Sequence, residues 1–251
     1  MDLKNVHQKL LELVIEFDEI CSKNQIKYTL HGGSLLGAIR EKGFIPWDDD
    51  IDVAMTRSEY IKFEKILKNS HKYYVYGSIK KQFRKKNDDS FWVDIFICDY
   101  IDEGLLGKVK NNMLTVLDIM NRDKNSIKLS NFSQYGKKKQ IAFKLIYNLG
   151  KIFSERKKVS WYEKISEKKF LGNRTLMHRS NDNYKGRNEI FPAEWMDKFI
   201  RVPFEDTSLL IMKEYHKMLV KCYGENYMIP IKDTRNSDVH ELVRKDGGLK
   251  L

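Results

Sequence analysis

Cysteine is scarce in this chain of 251 residues: Cys21, Cys98 and Cys222 are odd in number, far apart and form no CxxC pair. That excludes a disulfide framework and a zinc ribbon and makes a reducing cytosol the expectation. Proline is scarcer for the chain's length, with four residues, and the fourteen glycines follow no period, so collagen-like and proline-rich linker classes are out. No run of about 18 apolar residues occurs, so no segment reads as a membrane-spanning helix. Met1-Asp2-Leu3-Lys4-Asn5 lacks the basic-then-apolar order of a secretion signal, which again points to the cytoplasm. What is present is a globular composition, with 41% hydrophobic and 12% aromatic residues, in a length that suits one large domain or two small ones.

Acidic charge is short in one place only. The formal net charge is +11, yet residues 122–187 hold 18 Lys/Arg against 5 Asp/Glu, a local +13 that leaves −2 for the remainder. A uniformly basic chain suggests nucleic acid; a basic segment beside a neutral-to-acidic remainder suggests something narrower. An anionic membrane surface, a phosphorylated acceptor, RNA and a plain lysine-rich solvated face all fit it.

Hydrophobic spacing sets out the chain. Leu3, Val6, Leu10, Leu13, Phe17 and Ile20 mark one helix face. Residues 26–30 read as a short strand leading into the His31-Gly32-Gly33-Ser34 turn. A helix is expected over 35–40, stopped by Gly43 and Pro46, then a strand over 51–55 and a helix over 58–67. Two more strands are expected over 73–79 and 91–98. The alternation predicts an α/β fold with a mixed sheet and flanking helices over residues 1–104. From 105 to 251 the pattern turns mostly helical, with stretches near 108–120, 140–153, 161–170 and 208–223, as a helical extension of the core or part of the same domain.

Candidate chemistry concentrates in residues 31–52. Trp47-Asp48-Asp49-Asp50-Ile51-Asp52 places four carboxylates in five positions. Strand alternation puts Asp48, Asp50 and Asp52 on one side and turns Asp49 away. Carboxylates sharing a face repel unless a cation sits between them, and hard oxygen ligands suit Mg²⁺ or Mn²⁺ with positions left open for substrate phosphates. A solvated acidic loop is the alternative. An EF-hand is excluded, because its glycine and glutamate positions hold Val53 and Glu59. Gly32-Gly33-Ser34 exposes backbone N–H groups at a helix start, where an anion is favoured. It is neither a Walker loop nor a dinucleotide fingerprint, and Leu36 breaks the nucleophile-elbow pattern, so Ser34 reads as a phosphate or turn ligand.

A further acid, Asp94, lies inside the apolar strand Trp92-Val93-Asp94-Ile95-Phe96, where it is costly unless paired, metal-bound or capping the strand. Arg40 is a candidate fixed positive charge or a helix-ending surface arginine. His240, with Arg235, is a candidate binding residue or a plain tail histidine, and His31 fits a strand residue beside the turn.

These residues carry a family resemblance. His31-Gly32-Gly33-Ser34-Leu35-Leu36-Gly37-Ala38-Ile39-Arg40 followed by Gly43-Phe44-Ile45-Pro46-Trp47-Asp48-Asp49-Asp50-Ile51-Asp52 resembles the signature of the LicD family. Trp92–Phe96 is similar to that family's later acidic strand, and residues 219–230 to its YG-x-x-YM-x-x-P stretch, with His240 following. The basic middle, roughly 105–190, lies outside the resemblance. Ser34 stands where threonine is usual, and Ile97-Cys98 where Pro-Leu is, which leaves the substrate open.

The resemblance implies a nucleotidyltransferase-like fold and metal-dependent transfer of a phospho-alcohol, such as phosphocholine or ribitol phosphate, from a CDP-alcohol to a glycan or its lipid-linked precursor. In that scheme Asp50, Asp52 and Asp94 are the metal ligands and catalytic acids, with Asp94 either completing the metal shell or taking the hydroxyl proton. Gly33, Ser34, Arg40, Asp48 and His240 form the substrate side of the site. A nucleotidyltransferase releasing pyrophosphate and a non-catalytic RNA-binding protein are the competing classes, and nucleic acid is not favoured.

Lys137-Lys138-Lys139 precedes a helical stretch with Ile141, Leu145, Ile146, Leu149, Ile152 and Phe153 on one side, followed by Arg156-Lys157-Lys158. A basic-flanked amphipathic helix over 137–158 fits peripheral contact with the inner membrane face. An ordinary core-facing helix with lysine ends is the simpler alternative.

Overall fold

The computed structural model describes residues 2–122, 137–172 and 174–230. They form two compact units: residues up to 98 together with those from 191 onward, and residues 99–190 between them. The first unit thus draws on both ends of the chain, and the second on its middle.

The first unit opens with α1 (Leu3–Lys23), whose N-cap Asp2 accepts from the Asn5 N–H. Val6, Leu10, Leu13, Val14, Phe17 and Cys21 are its buried stripe, the spacing of a face that pays for its order by tertiary packing. After β1 (Thr29–Leu30), α2 (Gly32–Arg40) starts on a glycine, then β2 (Asp52–Thr56) and α3 (Arg57–Leu67) follow. Thr56 caps α3 by accepting from Glu59 N–H. The hairpin β3 (Tyr73–Tyr76) and β4 (Lys81–Lys85) and the long β5 (Trp92–Tyr100) complete this stretch. The strand path is β1-β2-β5-β4-β3. The β2–β5 pair is parallel and the other neighbours antiparallel, which is the mixed sheet predicted.

One sheet face is the core. Phe83 of β4, Phe17 of α1 and Phe63 of α3 meet with ring centroids 4.9–5.8 Å apart, and Tyr28 closes the cluster against Phe17. All four are at most 0% exposed, so each contributes several kcal/mol of transfer and packing energy of the kind lost, at about 3–5 kcal/mol, when a core Phe is cut to Ala.

The second unit carries α4 (Gly104–Asn121), α5 (Lys137–Gly150), α6 (Glu155–Glu167), β6 (Leu176–Arg179) and the short α7 (Tyr184–Arg187). Its interior is polar to an unusual degree. Lys110 is fully buried and donates to the carbonyls of Tyr100, Ser166 and Lys168 at 2.6–3.0 Å. Arg187 is buried as well, donating to Thr115 Oγ1 at 2.7 Å and to the Asp182 carbonyl. Arg179 pairs with Asp182 and Glu189. Part of the segment's basic charge is thus internal scaffolding, held because a buried cation must have acceptors around it.

From 191 the first unit resumes with β7 (Phe191–Pro192), a single 3₁₀ turn, the hairpin β8 (Phe199–Phe204) and β9 (Thr207–Met212), and α8 (Tyr215–Tyr223). The expected helix over 208–223 is corrected here: 207–212 is a strand paired antiparallel with β8, and its Leu209, Ile211 and Met212 are buried. A short apolar run has no periodicity that separates the two states. The hairpin is tied to the core by Met212 N–H donating to Thr29 Oγ1 and by Arg201 bridging to Asp18. Sequence reading also missed β4, because in Lys80-Lys81-Gln82-Phe83-Arg84-Lys85-Lys86 only Phe83 betrays the inward face. The helix expected over 140–153 starts three residues earlier and ends at Gly150.

Candidate active site

The acidic string and the glycine turn meet at the start of β2. Accessibility alternates along 48–52, with Asp48, Asp50 and Asp52 half-buried and Asp49 and Ile51 buried, the two-sided pattern of extended chain. The loop before it is fixed from two sides. His7 Nε2 lies 2.6 Å from the Asp48 carbonyl and its ring stacks on Phe44. Glu205, at the turn of the β8–β9 hairpin, accepts from Phe44 N–H at 2.9 Å, while its own N–H donates to the Lys42 carbonyl.

Gly32 begins α2 with φ +56°, a conformation glycine adopts without steric cost. A Cβ there would stand 3.0 Å from Asp52 Oδ2, and a Cβ at Gly33 would overlap Asp48 Oδ2. The two glycines therefore let the Asp48 and Asp52 carboxylates lie against the N-terminal backbone of the helix, the end that attracts negative charge. Ser34 is buried, and its Oγ accepts from the Asp52 N–H at 2.8 Å. It is a strut for the acidic strand from inside the turn. His31 donates its backbone N–H to the Asp52 carbonyl at 3.0 Å and sets its ring edge-on against Phe96, so it is packed beside the turn.

Asp94 joins through the sheet. In the parallel β2–β5 register Asp52 pairs with Asp94, and Asp94 N–H donates to the Ile51 carbonyl. Same-register residues of neighbouring strands share a face, so acids 42 positions apart in sequence become side-by-side neighbours. The same row continues to Gln82, opposite Asp94 on β4, and Tyr76, opposite Gln82 on β3. Asp94 receives Gln82 Nε2–H on Oδ1 at 3.0 Å and Trp92 Nε1–H on Oδ2 at 3.1 Å. Burial pushes its carboxyl above the usual range, with these two donors and the charges of Lys80 and Arg84 opposing. Gln82 is itself held: Arg84 donates from Nε and Nη2 to Gln82 Oε1 at 3.1 and 2.6 Å. The Arg84 guanidinium lies 4.4 Å from the ring centres of both Tyr76 and Trp92.

Gln82, Arg84 and Tyr76 are the site residues that sequence reading passed over. The available signal was the i, i+2 spacing of Trp92 and Asp94 on one strand face; the β4 contribution had none, because it depends on pairing. Among the described residues no three of His, Cys, Asp and Glu converge closely enough to hold a metal ion on their own. What the fold places together is Asp52 beside Asp94, with Asp48 across the glycine turn.

Arg40 ends α2 with its side chain 7% exposed, donating to Glu41 at 2.6 Å and toward the Tyr227 carbonyl at 3.4 Å. That ties α2 to the turn after α8, where Tyr227 OH meets His216 Nδ1 at 2.8 Å and Gly224, at φ +85°, ends the helix. The surface-arginine alternative is therefore corrected, because the guanidinium is enclosed. His240 and Arg235 lie outside the described residues.

A mixed sheet with acids at the start of β2 and on the neighbouring β5, beside a helix that opens on a Gly-Gly-Ser turn, has the features of a nucleotidyltransferase-like domain. Comparison agrees: residues 25–113 match the family described as LicD/FKTN/FKRP, nucleotidyltransferase domain. The chain is 29% identical over 246 residues, 88% of its length and 89% of the relative's, to the lipopolysaccharide cholinephosphotransferase LicD of Haemophilus influenzae. Uncharacterized proteins of Rickettsia typhi and Rickettsia prowazekii are 43% and 41% identical over 58 residues, 23% of this chain and 19% and 22% of theirs. Residues 25–113 are thus similar to the LicD-type nucleotidyltransferase domain.

Proposed function

We propose that this chain transfers a phospho-alcohol of the phosphocholine type from a CDP-alcohol to a hydroxyl of a glycan or its lipid-linked precursor, releasing CMP at the cytoplasmic side of the membrane. The observation that carries the reading is the Asp52–Asp94 register beside the glycine turn, in a chain similar over most of its length to a lipopolysaccharide cholinephosphotransferase. The relative's printed activity supplies the phosphocholine and the glycan; the CDP donor follows from the family resemblance.

A divalent cation fits this arrangement. A phosphate brought to the start of α2 would meet the Asp48 and Asp52 carboxylates already lying there, an encounter of like charges that a bridging cation makes favourable. Mg²⁺ takes one or two carboxylates and keeps its other positions for phosphates and water, so Asp50 and Asp52 suffice without a closed three-acid cage. When bound, the ion would supply charge neutralisation on the diphosphate as CMP leaves.

The protein's own groups do the rest. The backbone N–H groups of Gly33 and Ser34 face the anion end of the helix, and the Ser34 hydroxyl holds the Asp52 backbone in register. Asp94, made more basic by burial and kept aligned by Gln82 and Trp92, is oriented to take the proton of the attacking hydroxyl. Arg40, enclosed against Glu41 and Tyr227, anchors α2 and sets where the turn lies.

The test is turnover with CDP-choline, CDP-ribitol, CDP-glycerol and CDP-ethanolamine plus Mg²⁺ or Mn²⁺ and a glycan acceptor. CMP release from one donor, lost on chelation and in Asp52→Asn with circular dichroism unchanged, supports the reading. Pyrophosphate release from CTP instead overturns it in favour of nucleotidyl transfer.

A further inference from the structure

The second unit exposes two apolar stripes built to one pattern. On α4, Leu105, Val109, Met113 and Val116 are 75%, 40%, 39% and 39% exposed. On α5 and the turn after it, Ile141, Leu145, Leu149 and Ile152 are 59%, 65%, 52% and 73% exposed. Both sets are spaced i, i+4, i+8, i+11, a single helix face. Both also carry lysine at i+3 and asparagine at i+7: Lys108 and Asn112 on α4, Lys144 and Asn148 on α5. The two helices pack against each other, so the stripes belong to one helical pair. The core-facing alternative for 137–158 is thereby corrected: four of its six apolar positions face solvent.

The surroundings are basic. Segments 104–117 and 137–154 contain no Asp or Glu at all, while Lys108, Lys137, Lys139, Lys144, Lys151, Arg156 and Lys157 are exposed. Solvent-facing aliphatic side chains on this scale need a partner. A protein interface would be poor in lysine and rich in aromatics at its centre; here the exposed residues are aliphatic chains and methionine with lysines beside them. That is the make-up of a helix lying in a lipid headgroup layer, apolar face down and lysines reaching the phosphates. No helix among the described residues is long and apolar enough to cross a bilayer, so the contact is with a surface.

We propose that the exposed faces of α4 and α5 together form a lipid-docking surface that seats the second unit on an anionic membrane. The proposal goes beyond the transfer reaction and is read without any substrate, so vesicle binding can fail while CMP release stands, and the reverse.

The experiment is sedimentation of the full chain with phosphatidylcholine vesicles, with and without phosphatidylglycerol. The chain is expected to partition onto the anionic vesicles. Leu145→Ser with Leu149→Ser, and Val109→Ser with Met113→Ser, should each weaken binding by tenfold or more, with circular dichroism showing the helices retained. Lys108→Gln with Lys144→Gln should weaken it by about fivefold per charge, as one lysine near an anionic surface contributes about 1 kcal/mol. Absence of binding, or binding unchanged in both Ser pairs, overturns the proposal. Concentration-dependent self-association that the same Ser pairs abolish, without vesicle binding, also overturns it and assigns the face to a second copy of the chain.

Discussion

Ser34→Ala separates two roles that one hydroxyl could have in this site. The Ser34 Oγ accepts the Asp52 N–H at 2.8 Å and the residue is 4% exposed. Removing it leaves a buried backbone donor without this acceptor, a loss of about 1–3 kcal/mol. In a chain of this size each kcal/mol lowers Tm by about 2–4 °C, so the variant should melt about 2–12 °C below the parent. Activity should fall too, because the Asp52 backbone loses the contact that fixes it beside Gly32, and misplacement of a catalytic group by a fraction of an ångström is costly. Thermal melts and kcat/KM with the active CDP-alcohol are read side by side. Ser34→Thr, which keeps the hydroxyl, should recover most of both. A hydroxyl that served only a substrate phosphate would raise KM for the donor and leave Tm unchanged in the absence of substrate. An Ala variant as stable as the parent refutes the strut.

Gln82→Leu removes the donor to Asp94 Oδ1 and the acceptor that holds Arg84; since a hydrogen bond to a charged group contributes about 1.5–3 kcal/mol, turnover should drop roughly 10- to 100-fold with the sheet intact by circular dichroism, and parental kcat would remove Gln82 from the site. His178 is fully buried, and burial lowers its pKa from 6.5 to about 3. The native state therefore stays unprotonated there while the unfolded chain takes up a proton below pH 6.5, so this group's contribution falls as pH drops from 6.5 toward 3, by at most about 1.4 kcal/mol per pH unit. Urea melts at successive pH values should show this slope, reduced in His178→Gln; identical slopes in the two proteins would contradict it.

Much of the candidate site was legible before any fold. The DDDID string, the Gly-Gly-Ser turn and an acid inside an apolar strand are local features, and extended chain alternates its side chains whatever it pairs with. The halves of that reading that depended on neighbours fared differently. Ser34 reads from its motif as a phosphate or turn ligand, and only the packed turn shows its hydroxyl engaged with Asp52. Arg40 offered two readings, and only the fold shows its guanidinium lying beside Glu41 and the Tyr227 carbonyl. Gln82 and Arg84 were hidden in a lysine-rich stretch, because their place comes from β4 lying against β5.

In the second unit the sequence showed an excess of positive charge but could not divide it. Lys110, Arg179 and Arg187 turn inward to carbonyls, carboxylates and the Thr115 hydroxyl, while the lysines beside Leu105–Val116 and Ile141–Ile152 stay outside. Periodicity alone marks an apolar helix face; it does not say whether the face meets a core.

The amino-acid sequence by itself determined the alternating elements, the family resemblance and the chemical type of the acids, since those depend on residue identity and spacing along one chain. Tertiary structure decided that Asp52 and Asp94 are neighbours, which donors hold Asp94, and which helix faces are left to solvent. Those depend on strand register and packing between segments tens of residues apart, where the free energy is shared among many contacts and no single local pattern carries it.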